Sequence, residues 1–204
     1  MSEINLWEIE DKYFGEGIKL ICGVDEAGRG PLAGPVCAAA VILPSHVELP
    51  GLNDSKKMTD KRRRELFPMI KEQALAYGIA FASHEEIDRI NILQATYLAM
   101  ERAVAQLNIK PDLLLIDGNR AKDFGIPAQT VVKGDSLSAS IAAASVLAKV
   151  TRDDWMLKMG TQYPAYGFEI HKGYGTKAHY EALAAHGPCA IHRMTFLKKL
   201  YGTK

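Results

Sequence analysis

The chain has 204 residues, 48% of them hydrophobic, and is close to neutral, with 25 basic residues against 24 acidic ones. That size and composition predict one domain with its own core. Three cysteines make no metal or redox spacing, their odd count argues against a disulfide framework, and the lack of any 18-residue apolar stretch excludes a membrane-spanning helix. Met1 to Lys12 carries four acids and no apolar signal core, so a cytoplasmic protein is expected. Charge is unevenly spread: residues 171–204 hold six Lys/Arg, four of the six histidines and a single acid, Glu181. A basic terminal segment suits either a solvated helix or contact with nucleic acid.

In chain order, residues 18–25 read as a buried strand and Pro35 to Leu43 as a second, joined by a Gly/Pro-rich link that suits a hairpin. Residues 45–58 read as a loop. A helix is expected from Thr59, its N-cap, and Pro68 predicts a kink or a later start. Tyr77 to Ser83 reads as a third strand. Ser83 followed by Glu85 and Glu86 opens one or two helices over 84–107, with Ile92, Ala95, Ala99 and Ala103 on the apolar face. Short strands follow at Asp112 to Ile116 and Gln129 to Val132. Leu137 to Met159 is expected to be a long helix whose Ala and Ser residues permit close backbone packing. Tyr163 to Tyr174 reads as an aromatic loop, and helices are expected near 176–186 and 192–201. This order predicts an α/β domain with a mixed central sheet flanked by helices and a C-terminal helical extension, without regular Rossmann alternation. The expected division is an N-terminal extension at 1–17, a catalytic domain at 18–160 and a helical segment at 161–204 packed on the same domain.

The segment Gly23-Val24-Asp25-Glu26-Ala27-Gly28-Arg29-Gly30-Pro31 carries most of the chemistry. Adjacent carboxylates closing a buried strand are costly without a partner. Asp117-Gly118 and Lys133-Gly134-Asp135 also follow predicted strands. Alone, the first is ordinary turn chemistry and the second fits a helix cap. Together, acids at strand ends converge in an open α/β sheet, and their mutual repulsion calls for divalent cations. Oxygen-only ligation favours Mg²⁺ or Mn²⁺. Gly28 and Gly30 let backbone N–H groups approach a substrate, and metal-assisted phosphoryl chemistry is the expectation.

These residues resemble the bacterial type 2 ribonucleases H. The likeness extends through Asp54-Ser55-Lys56-Lys57, Asn91-Ile92-Leu93, Leu115-Ile116-Asp117-Gly118 and Lys133-Gly134-Asp135. It continues in Ala143 to Asp153 and in His171-Lys172-Gly173-Tyr174-Gly175-Thr176, covering residues 20 to 197. The resemblance implies an RNase H-like fold and a metal-dependent endoribonuclease that cuts the RNA strand of RNA/DNA hybrids. It also implies incision 5′ to single ribonucleotides embedded in duplex DNA, leaving 3′-hydroxyl and 5′-phosphate ends. It implies Asp25, Glu26, Asp117 and Asp135 as the catalytic, metal-binding carboxylates. Gly28, Arg29 and Gly30 would sense the 2′-hydroxyl, and Tyr174, otherwise an ordinary loop aromatic, would pack on the sugar at the RNA–DNA junction. Asp25 is expected to bridge two ions in two-metal-ion hydrolysis.

Lys56 is expected to bind phosphate, whereas Lys61-Arg62-Arg63-Arg64 reads as a solvated first helical turn. The expected partners are RNA/DNA hybrid and ribonucleotide-containing duplex DNA, bound by a monomer. Another two-metal nuclease of related fold, or a nucleic-acid-binding module without chemistry, are the alternatives. The lack of a Gly-x-x-x-x-Gly-Lys-Ser/Thr run argues against a P-loop nucleotidase.

Overall fold

The apolar run that delivers the acid pair lies in the middle of the sheet. In the computed structural model, which describes residues 5–202, this run forms β1 (Ile21–Ala27). It pairs on one side with antiparallel β2 (Val36–Ile42) and on the other with parallel β4 (Leu113–Asp117). With β3 (Ala76–Ala82) and β5 (Ala128–Val131) at the edges, the mixed sheet has the order β3-β2-β1-β4-β5. β2 is buried along its whole length, and Ala38, Ala39 and Ala40 let helices close on both faces. The expected mixed α/β architecture is therefore what the chain adopts.

One face is covered by α3 (His84–Val104), through Ala95, Ala99 and Ala103 as the periodicity predicted. Ser83 caps this helix in a reciprocal capping box with Glu86. The helix breaks at Asn91, which sits at φ 66° and whose Oδ1 accepts from the N–H groups of Leu93 and Gln94. The opposite face is covered by α4 (Ala139–Gln162), flanked by α1 (Glu8–Gly15) and α2 (Asp60–Gln73). A Cβ on Gly23 would fall 2.1 Å from the carbonyl carbon of Ser140, so strand and helix meet backbone to backbone. Thr59 caps α2 as expected. Pro68 neither ends nor delays that helix; it lies on the exposed side, where its missing N–H deprives no buried carbonyl of a partner.

Three expectations need correction. β1 starts three residues later than predicted and runs two residues further, so that Glu26 joins Asp25 within the strand. The segment 163–174 is not a plain loop: it contains a 3₁₀ turn at Pro164–Tyr166 and the short helix α5 (Phe168–His171). Nor is 192–201 one helix. His192 instead bridges to Ala33, and only the turn Met194–Phe196 and α7 (Lys198–Tyr201) are helical. The expected helix near 176–186 is α6 (Lys177–His186), capped by Thr176.

The N-terminal helix α1 had no clear signal in the sequence. It is held by Glu10, whose Oε1 accepts from the Ser138 hydroxyl at 2.6 Å and from the N–H of Ser140 at 3.0 Å. A carboxylate thus caps the start of α4, where the helix dipole favours negative charge. Residues 1–4 of the expected extension, and Lys204 of the basic segment, lie outside the described residues.

Candidate active site

Strand alternation decides which carboxylates meet. Ile21, Gly23 and Asp25 face α4, and so do Leu113, Leu115 and Asp117 on the neighbouring strand. Asp135 arrives from the turn after β5. That turn is built on Lys133 at φ 59°, and the Gly134 N–H donates to Oδ1 of Asp117 at 2.7 Å. One oxygen from each of Asp25, Asp117 and Asp135 lies within 4.8 Å of the others. Glu26 is outside that group: the pleat sends it to the other face, where it accepts from Arg29 at 3.2 Å. It still lines the same cleft.

Crowding acids in a buried place changes their protonation. Burial holds the Asp25 carboxyl well above its ordinary range, and the charges of Glu26 and Asp117 push it further the same way. Asp117 is raised by burial and then by Asp135. Glu26 is raised by burial, against the opposing pull of Arg29. The Lys56 ammonium, 3.0 Å from Oδ2 of Asp135, is the one cation bonded to the group among the described residues. Partial burial works against its charge, but the hydrogen bond to Asp135 and the surrounding carboxylates outweigh this and raise its pKa. Three hard oxygen donors at this separation, with protonation as their alternative relief, fit a divalent ion of the Mg²⁺ or Mn²⁺ type.

The cleft above these acids has a volume of about 570 Å³. Its walls include Gly28, Arg29, Gly30, Ser55, Lys56, Arg63, Ser145, Lys149 and Tyr174. Gly28 stands at φ 96°, and a Cβ there would fall 1.8 Å from Nε of Arg152. The Tyr174 ring stands beside Gly30, its Cε1 3.6 Å from where a Cβ would be. Tyr174 is 44% exposed, so its ring is available to a ligand. Every predicted site residue except Asp135 lines this cleft, and Asp135 joins it through the carboxylate group it forms with Asp25 and Asp117.

The sequence places residues 22–199 in a match to the family model described as Ribonuclease HII. The chain belongs to the ribonuclease HII family. Members of this family are metal-dependent endoribonucleases, and the acid cluster at the head of the cleft agrees with that chemistry. A ribonuclease HII from Endomicrobium trichonymphae is 55% identical over 193 residues, which is 94% of this chain and 92% of the relative. The crystal structure of the ribonuclease H2 from Pyrococcus horikoshii superposes with a TM-score of 0.72 at 27% identity, over 86% of this chain and 93% of that one. A more distant fold neighbour, Bst-RNase HIII crystallised in complex with Mn²⁺, gives a TM-score of 0.62 at 20% identity, over 82% of this chain and 63% of that one.

Several residues of this cleft carried no individual signal in the sequence. Ser145 of α4 lowers the pKa of the Asp25 carboxyl slightly against the effect of burial and hydrogen-bonds Ser55, tying the Asp54–Lys57 loop to the acid floor. Arg63 turns inward and donates to the carbonyls of Ser55 and Met58 at 2.7 and 2.6 Å. Its neighbours behave as a solvated turn: Arg62 pairs with Glu65, and Arg64 with Asp60 and Asp154. Beneath Tyr174, His179 donates or accepts at 3.0 Å with His192, and His171 stacks on His179. Burial lowers the pKa of His179 and takes His192 down to about 4, so both rings are neutral at pH 7. No helix of the described residues is long and apolar enough to cross a membrane.

Proposed function

We propose that this protein cleaves the RNA strand of RNA/DNA hybrids and incises duplex DNA 5′ to a single embedded ribonucleotide, leaving 3′-hydroxyl and 5′-phosphate ends. The observation that carries this reading is the meeting of Asp25, Asp117 and Asp135 directly beside a glycine loop and an exposed tyrosine. Asp25, Asp117 and Asp135 would hold the divalent ions, and Glu26, which lines the same cleft, would add its carboxylate to them. Bound Mg²⁺ or Mn²⁺ supplies an activated water and relieves charge on the leaving oxygen.

The protein's own groups do the rest. Gly28, Arg29 and Gly30 present main-chain polar groups to the 2′-hydroxyl, the chemical mark of a ribose. The Tyr174 ring lies against the sugar at the junction, where a further 2′-hydroxyl would clash. Lys56 neutralises a backbone phosphate as the substrate settles over Asp135. Residues 18–160 form the catalytic domain. In segment 161–204, Phe168, Leu183 and Ile191 pack on it against Leu32, Ala33 and Met156. The enzyme acts as a monomer in the cytoplasm.

The test is one duplex with a single ribonucleotide, incubated with Mg²⁺ or Mn²⁺, with the cut mapped at nucleotide resolution. The expected result is one incision 5′ to the ribonucleotide, and none in the all-DNA control or with EDTA. Equal cutting of the control, or no cutting with either ion, overturns the reading.

A further inference from the structure

Two of the most deeply buried side chains in the molecule are arginines: Arg152 is 1% exposed and Arg193 0%. Neither forms an ion pair among the described residues. Their hydrogen bonds all go to main-chain carbonyls, five of them within residues 28–35 and one at Lys172. Arg193 donates from Nη2 to Gly28 at 2.6 Å, from Nη1 to Arg29 at 2.9 Å and from Nε to Gly34 at 2.8 Å. Arg152 donates from Nε to Pro35 at 2.9 Å, from Nη2 to Ala33 at 3.2 Å and from Nη1 to Lys172 at 3.1 Å. Burying two unpaired guanidinium groups side by side is expensive. A core that needed only filling would use apolar residues. What these groups supply is a fixed fork of donors that dictates where carbonyls point.

Peptide geometry gives that dictation a consequence. The chain has no cis peptide bond, and in a trans peptide the N–H lies antiparallel to the C=O of the same unit. The Gly28 carbonyl points inward to Arg193, so the Arg29 N–H points outward. The Arg29 carbonyl also points inward, so the Gly30 N–H points outward as well. Neither N–H has a partner among the described residues, and both belong to the loop that lines the cleft beside Tyr174. Successive outward N–H groups of this kind make a small concave donor site for an oxygen.

We propose that Arg193 is a positioning residue for ribose recognition: it holds the Gly28 and Arg29 carbonyls inward so that the Arg29 and Gly30 N–H groups converge on the ribose 2′-oxygen. The rest of the C-terminal segment supports the same loop. The Arg193 N–H donates to the Leu32 carbonyl at 2.8 Å, and the Gly34 N–H to Ile191 at 2.9 Å. From the other side, the Leu32 N–H reaches the Gly173 carbonyl at 2.8 Å, one residue from Tyr174. The two parts of the reader, loop and tyrosine, are thus clamped by one buried pair of cations. This proposal rests on the ribonucleotide-directed activity argued above.

The experiment compares wild type with Arg193→Lys, which keeps the charge but lacks the three-way fork, and Arg193→Gln, which strands no charge in the interior. Affinity is measured in EDTA for two duplexes differing only in one ribonucleotide, alongside thermal midpoint, Mn²⁺ affinity and cleavage of the ribonucleotide duplex. The expected result is a preference for the ribonucleotide duplex in wild type that falls about tenfold in the variants, the worth of one misaligned hydrogen bond. All-DNA affinity and Mn²⁺ affinity stay unchanged. Undiminished preference overturns the proposal. So does equal loss on both duplexes, or loss of the fold in both variants, since either marks a purely structural or phosphate-directed role. A wild type that cuts at the ribonucleotide yet binds both duplexes equally overturns the proposal and leaves the activity standing. A wild type that never cuts overturns the activity, and the proposal with it.

Discussion

The Lys56 ammonium lies 3.0 Å from Oδ2 of Asp135 and closes one side of the carboxylate group. Because Lys56 is largely exposed, the pair itself is weak, about 0.2–1 kcal/mol. Its importance lies in position: the lysine competes with a metal ion for the oxygen it touches and neutralises phosphate once that oxygen is engaged. Lys56→Met is expected to tighten Mn²⁺ binding a fewfold by calorimetric titration. It should also reduce the salt slope of hybrid binding by about one, the loss of one phosphate contact. An unchanged salt slope would remove Lys56 from the substrate interface.

Asp25→Asn is expected to abolish cleavage while hybrid binding survives. The same substitution should stabilise the metal-free protein at neutral pH. A carboxylic acid whose pKa is higher in the folded state binds protons better there, so folding loses free energy as pH climbs from the ordinary carboxyl range toward the raised value. Thermal melts in EDTA should therefore show a midpoint that falls with rising pH above about 4 in wild type and falls less in the variant. Mn²⁺ should restore the wild-type midpoint. A variant less stable than wild type at pH 7 in EDTA would contradict the raised pKa.

The histidines act in the opposite direction. His192 is pushed down to about 4, first by burial and then by the facing His179. Below the ordinary histidine pKa of about 6.5 the unfolded chain takes up a proton that the folded chain refuses. Stability should fall as pH drops from there to about 4. His192→Asn is expected to flatten this acid limb, as read by urea unfolding at pH 7 and pH 5. An acid limb of unchanged steepness would assign it to other groups.

Gly28 and Gly30 should not tolerate alanine equally. At Gly28 the backbone is left-handed at φ 96° and a methyl group would displace Arg152, whereas at Gly30 the nearest atom would be 3.6 Å away. Left-handed backbone alone costs a non-glycine residue roughly 1–2 kcal/mol, or about 2–8 °C of midpoint for a chain of this size. Gly28→Ala is expected to lose at least that and most cleavage activity, while Gly30→Ala keeps the wild-type midpoint. Equal midpoints in scanning calorimetry would refute the difference.

Much of the acid centre was legible because its signal is local. Asp25 and Asp117 each end an apolar run, and parallel pairing of β1 with β4 brings the two run ends together. Glu26 was legible as an acid but not as to side; a strand's alternation separates adjacent residues, and only pairing shows which face is which. Asp135 was harder, since its approach depends on Lys133 adopting a left-handed conformation and on Gly134 bonding Asp117. The long helix α4 was read from its small residues, but nothing in an Ala/Ser-rich run says that Ser145 is the one beneath Asp25. The segment around Arg193 misled most: its local pattern is helical, whereas its conformation is set by pairing with Ala33, some 160 residues away. Likewise Glu10 looks like any surface acid until Ser138 and Ser140 are placed opposite it.

At Gly23, β1 and α4 touch main chain to main chain, with no room for even a methyl group. Asp25 rides on that strand two residues on, and Asp135 leads into that helix. A hydrogen atom at position 23 is therefore the spacer that sets the gauge of the ion-binding pocket, and any larger group would prop the jaws of the acid centre apart without touching a single ligand.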